Sequence, residues 1–189
     1  VPASAGSLRF WRNAGIATDI TLAASTLGYE FDWEQAAYAS SYPLSRITLS
    51  DTTATGKNHK LSLYRASSGA LVFGAGTVQW SWGLDGTHDR GSSTPDPRMQ
   101  QATVNLFADM GVQPGSLQDG LTTVTASTDT TAPTVTITSP ANGATVPGGT
   151  VTVTGTASDT GGVVAAVKVS TDGATTWNTA TGTSNWTYS

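Results

Sequence analysis

ALVFGAGTVQWSWGLD (Ala70–Asp85), followed by DPRMQQATVNLFADMG (Asp96–Gly111), is the stretch on which the fold turns. Ala70–Phe73 is a short continuous apolar run, the pattern of a strand buried on both faces. A glycine bend, Gly74-Ala75-Gly76-Thr77, comes next. Asp96 is suited to cap a helix, with Pro97 at its first position. Met99, Ala102, Leu106 and Met110 then recur at helical spacing beside Phe107, and Gly111 supplies the stop. Buried strand, glycine turn, loop and amphipathic helix together predict an α/β arrangement.

Upstream, Arg46–Ser50 and Lys60–Tyr64 alternate apolar and polar with period two, as half-buried strands do. Asp51–Asn58 between them is turn-rich and predicts a hairpin or a crossing loop. Ser7–Trp11 is expected as a strand or strand entry, Ile20–Leu22 and Leu27–Phe31 as short extended pieces, and Ala36–Tyr42 as a surface loop ended by Pro43. Downstream, Gln113–Thr131 reads as a polar linker containing Pro114, Gly115 and Gly120.

The chain changes character at Asp129–Pro133. Almost all basic residues and most tryptophans lie before it, and the only basic residue after it is Lys168. From Thr134 the rhythm is β: TVTITSP, TVTVTGTASD and VVAAVKVSTDG, punctuated by Asn142-Gly143, Gly148-Gly149 and Asp172-Gly173. Two modules are therefore expected. Residues 1–121 are expected to form a partial α/β domain (a mixed sheet with one clear helix), 122–131 a linker, and 132–189 an incomplete all-β sandwich.

Composition narrows the function classes. The net charge of −4 over 189 residues argues against a phosphate-binding surface, so no nucleic-acid partner is expected. Charged residues are only 12%, their place taken by Thr, Ser and Gly, as in extracellular β-rich modules. With no cysteine, disulfides, thiolate nucleophiles and Cys-bound zinc are all excluded. No apolar run reaches membrane-spanning length. The ends read as internal to a longer parent chain, with partners upstream and downstream.

The second module resembles bacterial immunoglobulin-like domains of exported multidomain proteins, through APTVTITSPANGATVPGGTVTVTGTASD and VKVSTDGATTW. That resemblance implies an extracellular or cell-surface location. Ser170-Thr171-Asp172-Gly173 with Thr176-Trp177 also looks like the Asp-box hairpin of sialidases, with Ala174 where that pattern has Gly; an Asp closing a turn through backbone bonds accounts for it. The first module resembles the C-terminal domain of the N,N-dimethylformamidase large subunit. The carrying strings are LRFWRN (Leu8–Asn13), LGYEFD (Leu27–Asp32), LYRASSGALVFGAGTVQWSWGLD (Leu63–Asp85) and DPRMQQATVNLFADMGVQP (Asp96–Pro114). The resemblance implies a domain similar to class I glutamine amidotransferases and a parent that hydrolyses a small amide C–N bond. It also implies one iron held by tyrosines and a glutamate in the full-length parent.

Candidate site residues follow. Glu30, between Tyr29 and Phe31, is the candidate catalytic carboxylate, since aromatic neighbours favour a proton-handling role. The competing assignment is a solvent-facing strand-edge Glu. Asp32 and Glu34 share its alternation, so one face is expected to gather three carboxylates, as a cation site or as a solvated acidic edge. Trp80 and Trp82 share a face if the segment is extended. With Tyr29 they are the candidate ligand-binding residues for a small amide or a sugar ring, against core packing as the alternative. His88-Asp89 and His59 are weaker candidates, and no spacing selects a metal-binding pair among Tyr29, Tyr38, Tyr42 and Tyr64. The chain alone is expected to be inactive. The rival expectation is a non-catalytic carbohydrate-binding or structural, adhesive module.

Overall fold

The computed structural model describes residues 1–23, 25–28 and 30–189. They form two compact units, Val1–Ser127 and Thr128–Ser189.

In the first unit, strand β1 (Ile47–Ala54) and strand β2 (Lys57–Arg65) make an antiparallel hairpin. Thr55 and Gly56, both at positive φ, carry the turn, so the strands run further into Asp51–Asn58 than their apolar alternation implied. Strand β3 (Leu71–Gly74) adds to β2, giving the order β1-β2-β3. All pairings in this sheet are antiparallel. The expected run at Ala70–Phe73 is therefore not a strand covered on both faces: Ala70 is exposed, and Leu71–Phe73 are half-buried residues of an edge strand. Its apolar character serves an aromatic chain instead: Trp11 meets Phe10 edge-on, Phe10 stacks on Phe73 at 5.2 Å, and Phe73 meets Trp80 edge-on at 5.2 Å.

Ser7–Trp11 is not a strand. After a single helical turn, α1 (Ala3–Gly6), Arg9–Trp11 form a 3₁₀ turn. Leu8, Phe10 and Trp11 are all buried, and a tight turn can place adjacent side chains in a core where alternating strand faces cannot. The Trp11 indole donates to the Leu49 carbonyl at 2.9 Å, tying the N-terminal segment to β1. Ala36–Ser41 is also a 3₁₀ turn, fully exposed.

The long helix falls where its caps predict. It is α2 (Pro97–Asp109), with Asp96 as N-cap accepting from the Arg98 backbone N–H, and Gly111 at φ 81 beyond its end. Met99, Ala102 and Leu106 are buried, while Phe107 and Met110 stay exposed. The polar Asn105 is fully buried on the same face. It donates to the carbonyls of Phe10 and Arg12, and accepts from Gln101. Gln101 reaches on to Thr122 through both its amide groups, and Val124 is buried. The first part of the expected linker is thus packed against the helix.

Two short strands, β4 (Thr87–His88) and β5 (Gly91–Ser92), close the loop before α2. In the second unit, β6 (Thr134–Ser139), β7 (Val153–Ser158), β10 (Thr181–Gly182) and β11 (Asn185–Tyr188) form a sheet of order β10-β11-β7-β6. A separate pair, β8 (Lys168–Val169) with β9 (Asn178–Thr179), lies apart from that sheet. Trp186 fills the core with Ala157, Val167 and Ala180. Gly155 lies under its indole, where a Cβ would fall 2.3 Å from the ring. Asp172 closes the 170–177 turn, accepting from the backbone of Thr175 and Thr176 and from the hydroxyls of Thr176 and Ser170. These bonds, that of Thr176 foremost, hold its pKa down at about 2.

Candidate functional site

An open cleft of about 820 Å³ lies in the first unit. Its walls come from Gly28 and Glu30–Trp33 on one side, Ala75–Val78 on the other, and Thr55 and Lys57 from the β-hairpin turn. The two sides are laced together by backbone. Phe31 and Thr77 form an antiparallel bridge, and the Asp32 N–H donates to the Gly76 carbonyl at 2.7 Å. Thr77 clamps the loop from the other direction: its hydroxyl faces the carbonyls of Thr26 and Leu27, each at 2.9 Å, and accepts from the Gln79 N–H.

The glycine bend is what allows this approach. Gly76 sits at φ 60 against His59, whose Nε2 would lie 2.9 Å from a Cβ there. His59 itself is buried, with Nε2 3.0 Å from the Ala75 carbonyl and its ring edge-on to Phe31. It supports the cleft floor from behind and does not line it.

Glu30 lies exposed in the cleft lining, beside the equally exposed Asp32. Tyr29 lies outside the described residues. Trp33, a wall residue the sequence reading passed over, carries Lys57 over its ring at 3.5 Å. Adjacent aromatic and acidic residues in LGYEFDWE could have signalled it, since a strand edge that faces a ligand often mixes the two.

The expected three-carboxylate face does not form. Glu34 turns into ion pairs with Arg46 and Lys60. Burial pushes its carboxyl up, but hydrogen bonds and charge from Lys60 and Arg46 outweigh that and leave it below its ordinary value. Its two basic partners are Arg46, just before β1, and Lys60 on β2. Among the described residues, no three His, Asp or Glu side chains gather as metal ligands.

The two tryptophans part company. Residues 80–83 form a 3₁₀ turn, where positions two apart point about 120° from each other. Trp80 packs on Phe73, its indole 3.3 Å from the Thr103 hydroxyl on α2. Trp82 stacks on His88 at 4.1 Å and donates to Asp89 at 3.0 Å. His88 Nε2 is 3.2 Å from the Ser93 hydroxyl, which donates to the Trp82 carbonyl. His88-Asp89 thus brace the Trp82 turn, and neither tryptophan lines the cleft.

The iron set implied by the resemblance does not fit the described residues. Tyr42 accepts from the Gln35 N–H and lies under the Arg46 guanidinium; Tyr38 is exposed on its 3₁₀ turn; Tyr64 is in β2. None of the three lines the cleft with Glu30.

Residues 1–96 match the family described as N,N-dimethylformamidase beta subunit-like, C-terminal, and residues 133–189 match the bacterial Ig domain family. The chain therefore belongs to the N,N-dimethylformamidase beta subunit-like C-terminal family, with a bacterial immunoglobulin-like domain following. No curated protein and no solved structure matches the chain significantly.

Proposed function

We propose that the chain is part of an exported bacterial protein that acts on a small amide, and that its own contribution is the cleft between Gly28 with Glu30–Trp33 and Ala75–Val78. One observation carries this reading. Two strings that make the chain resemble the dimethylformamidase family, LGYEFD and the FGAGTV portion of the long central string, lie over forty residues apart in sequence, yet Gly28 and Glu30–Asp32 of the first and Ala75–Val78 of the second line a single cavity. A cavity this size takes small organic ligands, and its lining mixes aromatic walls with a few polar groups, as ligand sites do. Glu30 is the group proposed to exchange a proton with the bound amide. The immunoglobulin-like unit supports the exported location.

The chain alone is proposed to bind amides without hydrolysing them, because the described residues assemble no nucleophile–base pair or metal set around Glu30. The test is saturation-transfer NMR with formamide on the 189-residue chain, together with an ammonia-release assay. Binding that weakens several-fold in Glu30→Ala, with no turnover, is the expected result. Turnover by the isolated chain, or amide binding indifferent to Glu30, contradicts the proposal.

A further inference from the structure

Among the described residues, Lys57 is the one cation that lines the cleft, and it shares the lining with two carboxylates, Glu30 and Asp32. None of these three charges forms an ion pair among the described residues. The neighbouring charges behave differently: Glu34 pairs with both Arg46 and Lys60, and Lys60 also reaches Asp51 at 3.7 Å. Three contacts fix where Lys57 stands. Thr55 and Gly56, at φ 49 and 75, turn the hairpin so that Lys57 opens β2 opposite Ala54. The Glu34 N–H donates to the Asn58 carbonyl at 3.1 Å, which stitches the Trp33 segment to the hairpin beside Lys57. The ammonium then lies over the Trp33 ring, 3.5 Å from its centroid, while both residues stay exposed. An ammonium carries three donors and the ring face engages only one side of it, so donors remain for a ligand.

We propose that Lys57 orients the bound amide: its ammonium, held at the cleft wall by Trp33, donates to the amide carbonyl oxygen. The inference rests on the amide-binding reading above. An amide is a dipole, negative at oxygen and positive at nitrogen and its substituents. A cleft that carries an ammonium and two carboxylates, all unpaired, matches both ends, with oxygen toward Lys57 and nitrogen toward Glu30 and Asp32. This adds a chemical requirement. The ligand needs a strong carbonyl acceptor and needs no N–H, so fully N-alkylated amides satisfy the cleft as well as simpler ones. Trp33 is the positioning partner, since its ring limits where the flexible lysine head can go.

The experiment titrates N,N-dimethylformamide and N,N-dimethylthioformamide, whose sulfur is a poor acceptor of nearly the same shape, into the wild-type chain and into Lys57→Met. Urea unfolding of both proteins checks that the variant is folded. The expected result is that affinity for the oxygen amide, relative to the thioamide, falls about three- to tenfold in Lys57→Met, the range of one solvent-exposed hydrogen bond. A relative affinity unchanged by the substitution overturns the Lys57 inference and leaves the cleft reading standing, whether both ligands weaken together or neither does. Failure of the wild type to bind either ligand overturns both. Should Lys57→Met not fold, the wild type decides the matter. Its Lys57 ε-methylene NMR signal is expected to shift during the dimethylformamide titration with the same midpoint as the Glu30 amide, and a Lys57 signal that stays still while Glu30 shifts overturns the inference.

Discussion

Two single positions show how much of this molecule rests on backbone conformations that side chains resist. Gly28 is one. Alanine there meets a left-handed φ and places its Cβ 1.8 Å from the Gln79 Oε1. The conformational strain alone is about 1–2 kcal/mol, and the overlap adds to it. Gly28→Ala is therefore expected to lower the stability of the first unit by at least about 2 kcal/mol in urea titration; a loss below about 0.5 kcal/mol would show that Gln79 does not lie where described. Ala174 is the reverse case, a residue with a side chain at φ 69 in the Asp172 turn. Ala174→Gly is expected to stabilise the second unit by about 1 kcal/mol, read from its melting transition. The sequence marked this position through its departure from the Asp-box pattern. Gly28 gave no comparable signal, because the space it leaves is used by a residue about fifty positions away.

At the scale of elements, α2 was the most legible part. Asp96-Pro97, the Met99/Ala102/Leu106 spacing and Gly111 are local signals, and local signals fix a helix. What they could not show is how much the cap does. Asp96 is 4% exposed and accepts from Arg98 through backbone and side chain, and from the Ala23 N–H at 2.9 Å. Burial raises its pKa, but these bonds and the Arg98 charge outweigh it and leave the pKa lowered. A carboxylate with a depressed folded pKa stabilises fully above its unfolded value and loses that contribution as pH falls through the folded value. Asp96→Ala should cost about 1–2 kcal/mol at neutral pH, and the difference from wild type should shrink as pH drops below the ordinary carboxylate range. A pH-independent difference would mean that the charge of Asp96 is not what matters. The elements read wrongly, Ser7–Trp11, Ala70–Phe73 and the Trp80/Trp82 pair, fail for a shared reason. Their apolar residues are arranged for tertiary contacts without a local period: the Phe10–Phe73–Trp80 chain and, for Trp82, the stack on His88.

For the whole molecule, the two-module organisation was visible in composition, and the family strings in the residues themselves. The site was only half visible. Glu30 and the glycine bend were marked, but their convergence depends on the Phe31–Thr77 bridge, which no spacing announces. Glu34 left the acidic face for Arg46 and Lys60, and Trp82 left the pocket for His88, both through partners distant in sequence or on other elements. The central claim is that LGYEFD and FGAGTV make one small-amide cleft. The most direct measurement is an amide ¹H–¹⁵N shift map of the chain titrated with formamide. The predicted result is saturable shifts in both Glu30–Trp33 and Ala75–Val78 with a common midpoint. Shifts confined to one wall, or centred on Trp80–Trp82, would contradict it.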